Sequence, residues 1–225
     1  MSEAIKVLDH GHIRLVDHMG ADLSIVRNAR VSYDAEWRAG EDSGSDKRLI
    51  NYLYSNGHNT PFESVTFTFD VFAPIFVFRQ WHRHRVQSYN ELSARYKELP
   101  DTWYLPELGR ITLQSTDNKQ MSTEDQNPNA ELIQQNMQKS YEFAYQMYLE
   151  NLELGCPREL ARIILPVGMY SHMFATVNLH NLFGFLRERM HEHAQPEIRV
   201  YAEAMLELIR PIVPVAVEAF EKSRS

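Results

Sequence analysis

RHRVQSYNELSARY, residues 83–96, is the most informative stretch of this chain. Extended back to Arg79, it holds four arginines (Arg79, Arg83, Arg85, Arg95) against one acid, Glu91, a local charge of +3 in a chain whose formal net charge is -7. Uncharged hydrogen-bonding side chains stand among them: His84, Gln87, Ser88, Asn90 and Ser93. Guanidinium forks grip phosphate and carboxylate bidentately, so donors at this density suit a phosphorylated small molecule. The alternative is a solvated basic loop. Such loops are usually lysine-rich, and this stretch has no lysine before Lys97.

The flanking pattern is mixed. Upstream, Pro74 opens a helix through Phe76, Phe78 and Trp81 that delivers the arginines. Continued helically, it would stack Arg79 on Arg83 and place Gln80 beside Arg83. Residues 12–16 and 65–71 alternate as strands. Residues 21–31 and 47–55 carry helical spacing, with a polar, glycine-containing loop at 39–46. Asn59-Thr60-Pro61-Phe62-Glu63 reads as a helix start, Thr60 at the cap and Pro61 in the first turn. Downstream, 88–93 is expected to be irregular, because Asn and Ser side chains compete with the backbone ladder. Residues 111–129 read as an exposed polar loop. Residues 131–154 form an amphipathic helix with Ile133, Met137, Tyr141, Tyr145, Tyr148 and Leu152 on one stripe, ended by Gly155. Pro157 begins a helix bearing Arg158 and Arg162, residues 171–189 read as one helix, and 197–209 as the last. No repeat or linker divides the chain, so residues 1–225 are expected to form a single domain.

Composition sets limits. Hydrophobic content of 44% and charged content of 24% are ordinary for a globular protein. The acidic balance argues against general binding to nucleic-acid polymers or anionic membranes, though not against a local anion site. The N-terminus shows no basic segment followed by an apolar one, as a secretory signal would. Residues 163–186 lack Asp, Glu, Lys and Arg but carry Pro166, Gly168, His172, Asn178, His180 and Asn181, too polar for a lipid-facing span. One cysteine, Cys156, excludes an internal disulfide and fits a reducing, cytoplasmic setting.

Several familiar sites are missing. No two of the nine glycines are separated by a single residue, and no Gly-Lys-Ser/Thr triplet occurs, so no glycine-rich phosphate loop is present. The histidine pairs 10/12, 82/84 and 191/193 have no carboxylate or thiol cluster to complete a metal shell, and no metal is expected. Ser88 and Ser93 read as anion-binding hydroxyls or as nucleophiles; a nucleophile would need an oriented base that the sequence does not reveal. Cys156 stands outside any charged constellation and reads as structural.

Arg83-His84-Arg85, Ser88, Asn90, Glu91, Ser93, Arg95 and Tyr96 reproduce nine residue types, at fixed spacing, of the signature of the flavin-dependent thymidylate synthases. Residues 59–63, Pro157-Arg158-Glu159 with Ala161-Arg162, Val177-Asn178, and Arg189 with His193-Ala194-Gln195 resemble further blocks of that family in the same order. The resemblance is weakest over 111–129. It implies an α+β fold, a single domain with a central, mostly antiparallel sheet flanked by helices, assembled as a homotetramer with active sites where subunits meet. It implies conversion of dUMP to dTMP with FAD, NADPH and methylenetetrahydrofolate. Matched position by position, Glu63, Arg83, His84, Arg85, Glu91, Asn178 and the residues after it, with His180 and Gly184, and His193 are expected at FAD, with Thr60 touching the cofactor from a neighbouring subunit. Gln80, Arg83, Glu91, Leu92, Ser93, Ala94, Arg95, Arg162 and Arg189 are expected to hold dUMP, Ser93 and Arg95 at the phosphate and Arg189 at the uracil.

The chain departs from the family pattern at His180, often a basic residue, at Gly184, often an amide, and at Glu188, often apolar. The resemblance also implies flavin hydride chemistry in place of thiolate attack, with Arg189 as the catalytic residue: a guanidinium at the N3/O2 edge would stabilise the anionic ring and enrich C5 in electron density. Two other readings stand beside this one, a methylase or hydroxymethylase of another pyrimidine nucleotide and a non-enzymatic nucleotide or RNA binder.

Overall fold

A computed structural model describes residues 3–224. A five-stranded sheet forms its centre, in the order β1 (Ile5–Val7), β2 (Gly11–Met19), β3 (Thr66–Pro74), β7 (Tyr170–Asn178), β4 (Gln87–Glu91), with every neighbouring pair antiparallel. Successive strand residues point to opposite faces. Phe67, Phe69 and Val71 of β3 lie opposite Val177, Ala175 and Met173 of β7, and this face is fully buried. It packs beneath α6 (Leu179–Arg189) and α7 (Pro196–Ile209), whose Leu182, Leu186, Ile198, Tyr201 and Met205 share one core with it. Each such buried side chain contributes roughly 1.5–3 kcal/mol of transfer free energy. The other face is polar: Thr68 and Thr176 hydroxyls meet at 2.9 Å, and Asp70 receives Arg14 at 2.6 Å and His172 at 2.5 Å.

Three helices close the inner side. α1 (Asp22–Arg30) donates a cap across the fold: the Asp22 carboxylate accepts from the Val215 and Ala216 amides that open α8 (Pro214–Lys222). α2 (Ser43–Ser55) starts on Asp42, whose side chain accepts from the Gly44 and Ser45 amides. The 39–46 loop therefore ends four residues earlier than the residue pattern suggests.

The largest difference from the sequence reading lies at 171–189. The first half is the interior strand β7, and the helix begins only after Asn178, which caps it. Ser171, Met173, Ala175 and Val177 face in at period two. Phe174 stands on the outward face between His172 and Thr176, so an apolar residue breaks the alternation and the segment reads on into the helix that follows. Residues 88–93 are likewise more regular than expected, because β4 takes its hydrogen-bond partners from β7. α3 (Ile75–Trp81) stops before Arg83, so Arg79 and Arg83 are not one helical turn apart. The chain turns instead through His84 N–H to Trp81 O at 3.0 Å. The start at residue 60 is a 3-10 turn, Thr60–Ser64, with Asn59 rather than Thr60 at its cap. The helix after Pro157 is one turn, α5 (Arg158–Ala161), followed by a 3-10 turn, Arg162–Ile164.

Residues 111–129 contain a small hairpin, β5 (Thr112–Gln114) with β6 (Ser122–Gln126), rather than an unstructured loop. It precedes α4 (Ala130–Glu153), whose inward stripe packs on the 99–106 segment: Trp103 stacks on Tyr141 at 5.2 Å, and the Tyr145 hydroxyl donates to Leu99 O at 3.1 Å. Among the described residues no helix is long and apolar enough to cross a membrane.

Candidate active site

The end of α3 and the turn after it separate two concavities. The first encloses about 660 Å³ and takes His84 and Arg85 from the turn after α3 and His180, Asn181 and Arg187 from α6, with Tyr54, Phe62, Phe183 and Phe185 supplying aromatic walls. Its lining contains no acid. Gly57 and Gly184 also border it, and a Cβ at either would meet nothing within 4 Å. Two guanidinium groups, two imidazoles and flat apolar walls are the donor set that a dinucleotide carrying a diphosphate and large rings requires, so these residues fit FAD.

The second concavity, about 780 Å³, lies on the other side of the same segment. Arg79 and His82 line it from α3 and its end, Glu91 to Ala94 from β4 and the following turn, and Glu159 and Arg162 from α5 and the turn after it. Ser171 donates to Glu91 Oε1 at 2.8 Å, which orients that carboxylate from β7. Ser93 Oγ accepts from the Arg95 amide at 3.3 Å. Arg95 itself is exposed at the rim, 3.4 Å from Glu159. This cavity offers cations and hydroxyls for a phosphate together with carboxylates that accept from a base or sugar.

Arg189, at the end of α6, is tied to the dividing segment. Its Nε donates to His84 Nε2 at 2.8 Å, its Nη1 to Gln80 Oε1 at 3.4 Å and its Nη2 to the Gln80 carbonyl at 3.1 Å. Burial and the Arg189 charge hold His84 down to about 4, so its imidazole is neutral and accepting at neutral pH. Burial, helped by Arg83, also lowers Arg189 from the usual guanidinium range, while Glu188 opposes the shift. Glu188, the acidic departure, thus supports the cation beside it. Tyr89, raised by burial to about 12, braces the turn by donating to the Trp81 and His84 carbonyls.

The expected site residues divide accordingly. His84, Arg85, His180 and Gly184 border the first cavity; Glu91, Leu92, Ser93, Ala94 and Arg162 border the second. Gln80, Arg83 and Arg189 group between them, while Arg95 stands at the rim. Asn178 lines neither: its Oδ1 accepts from the Asn181 amide and side chain, and Asn181 is the residue presented to the cavity. His193 borders a separate hollow with Arg110 and Gln195. Thr60 and Glu63 are exposed on their turn. Cys156 borders none of these cavities; its thiol lies 3.8 Å from Pro157 O. Arg187 and Ser171 were not foreseen. Asn181 follows Asn178 in the strip that the resemblance implies at the cofactor, and Glu159 stands in the 157–162 family block, though neither was named as a site residue.

Residues 14–215 match the family described as thymidylate synthase complementing protein. The chain is 47% identical to a flavin-dependent thymidylate synthase of Treponema denticola, over 99% of this chain and 83% of that one. It is 44% identical to a flavin-dependent thymidylate synthase of Thermotoga neapolitana, over 97% and 94%. The crystal structure of PolB, a UMP/dUMP methylase from Streptomyces cacaoi bound with 5-Br dUMP, superposes with a TM-score of 0.87 at 35% identity, covering 97% of both chains. A second PolB structure, bound with 5-Br UMP, gives 0.85 at 34% identity. Sequence, motif order and fold agree, and the chain belongs to the thymidylate synthase complementing protein family.

Proposed function

We propose that this chain is a flavin-dependent thymidylate synthase that methylates dUMP reductively to dTMP, with methylenetetrahydrofolate as one-carbon donor and NADPH as source of reducing equivalents. The observation that carries the reading is the pair of cavities on either side of residues 79–85, one cationic and acid-free, the other offering Ser93 and Arg162, with Arg189 bonded to the wall between them. Reduced FAD, when bound, supplies the hydride that brings a transferred methylene to the methyl level. Arg85, His180 and Arg187 bind the cofactor's diphosphate, and the aromatic walls hold its rings. Arg162 and Ser93 bind the nucleotide phosphate, and Arg95 joins them by leaving Glu159. Glu91, held by Ser171, fixes the nucleotide against the flavin side.

Arg189 is the catalytic residue of this reading. Its guanidinium stabilises negative charge at the N3/O2 edge of the uracil as C5 becomes nucleophilic. His84 remains an uncharged acceptor, so it orients Arg189 without repelling it. No step uses Cys156. The whole chain, 1–225, acts as one unit, and it assembles as a homotetramer in which Thr60 and Glu63 of one subunit complete the cofactor site of another. The cell compartment is the cytoplasm.

A second reading, methylation of UMP, is favoured by the likeness to PolB, described as a UMP/dUMP methylase. One experiment addresses both. Purified protein is inspected for a flavin spectrum, then mixed anaerobically with NADPH, methylenetetrahydrofolate and dUMP, UMP or dCMP. Conversion of dUMP alone to its 5-methyl product supports the first reading, comparable conversion of UMP supports the second, and a colourless, inactive protein refutes both.

A further inference from the structure

Gln195 occupies the N-cap of α7, with φ −57° and ψ 130°, just before Pro196. N-caps favour Ser, Thr, Asp and Asn, whose short side chains accept from the second or third helical amide. Gln195 makes no such bond. Its side chain reaches instead to Gln80, whose Nε2 donates to Gln195 Oε1. That bond and the Arg189 contact agree on one orientation of the Gln80 amide. With its NH2 held by Gln195, Gln80 presents Oε1 to Arg189 Nη1, while its backbone carbonyl accepts from Nη2. The reversed amide would set two donors against each other.

Gln195 is in turn held from both sides. Two residues on, Glu197 is buried and accepts from Arg110 at 2.8 and 3.2 Å and from the Tyr104 hydroxyl at 2.9 Å. Arg199 donates to the carbonyls of Glu192 and Ala194. The first turn of α7 therefore fixes the connection from α6, and Gln195 is its point of contact with the dividing segment.

We propose that Gln195 is a positioning residue that orients the Arg189 guanidinium through the Gln80 amide. The inference rests on the reading of Arg189 as the pyrimidine contact. It is tested on full-length, FAD-loaded protein with Gln195→Ser, Gln195→Glu and Arg189→Ala. Serine is the better N-cap but too short for Gln80; glutamate keeps the Oε1 acceptor. Gln195→Ser is expected to melt at or above the wild-type temperature with unchanged flavin content, while kcat/KM for dUMP falls about tenfold. Gln195→Glu is expected to recover to within about threefold of wild type. A purely structural role would move melting temperature and activity together. Wild-type kcat/KM in Gln195→Ser, joint loss of stability and activity there, or no recovery in Gln195→Glu overturns the inference, even where Arg189→Ala has lost turnover. Wild-type turnover in Arg189→Ala removes the reading beneath it.

Discussion

The Arg110–Glu197 pair should stabilise the protein strongly. Glu197 is 3% exposed, and Arg110 embraces it with two nitrogens while the Tyr104 hydroxyl donates a third bond. These bonds hold the Glu197 carboxyl below the usual glutamate range even though burial pushes it up. In Arg110→Met, a buried carboxylate would keep only the Tyr104 hydroxyl and its own backbone amide, with no cation. Breaking such a pair costs roughly 3–5 kcal/mol, and because the Arg110 side chain is itself 31% exposed the lower bound of about 3 kcal/mol applies. For a chain of this length that is a fall of about 6–12 °C in melting temperature. Glu197→Gln leaves no buried charge, keeps an acceptor for Tyr104, and should cost about 1–2 kcal/mol. The double variant should be more stable than Arg110→Met alone, because no charge remains to be desolvated. The assay is calorimetric melting of all four proteins at one concentration and pH 7.5. A drop under about 2 °C in Arg110→Met, or a double variant no better than it, would refute the argument from burial.

Four further outcomes are expected. Arg189→Ala retains its flavin spectrum but forms dTMP about a hundredfold more slowly, read by single-turnover product analysis. Arg162→Ala and Arg95→Ala both weaken dUMP binding by isothermal titration, Arg162→Ala by about tenfold or more and Arg95→Ala by less, because Arg95 must first leave Glu159. Cys156→Ala keeps wild-type turnover; a loss there would restore a thiol mechanism. Stability should fall as pH is lowered from 6.5 toward 4: His84 titrates near 4 when folded and near its ordinary value when unfolded, so the unfolded chain binds the extra proton in that window. Urea melts at pH 7 and pH 4.5 measure the loss, and His84→Gln should reduce it.

Much of the site was readable because its residues are close in sequence. Residues 79–96 carry both the end of α3 and the edge strand β4, so one motif contributes to two cavities. Arg162 and Arg189 lie far from it in sequence and were reached only through the likeness of separate blocks to a family. The fold was less legible where tertiary pairing overrode local pattern. β7 was hidden because Phe174 interrupts its polar face and the strand runs directly into α6, and β4 looked irregular because its ladder partner lies 88 positions away, Ser88 opposite Thr176. The Gln80–Gln195 and Arg110–Glu197 contacts left no trace in the sequence. Their partners are 115 and 87 residues apart, and amides and charges at such positions are ordinary in surface loops.

The partition formed by residues 79–85 has a consequence for how this protein can change. One short strip of chain shapes two compartments at once, so a substitution on it alters the walls of both. The opposite wall of the second cavity, around Glu159 and Ile163, borders that compartment alone, so substitutions there leave the first cavity's lining unchanged.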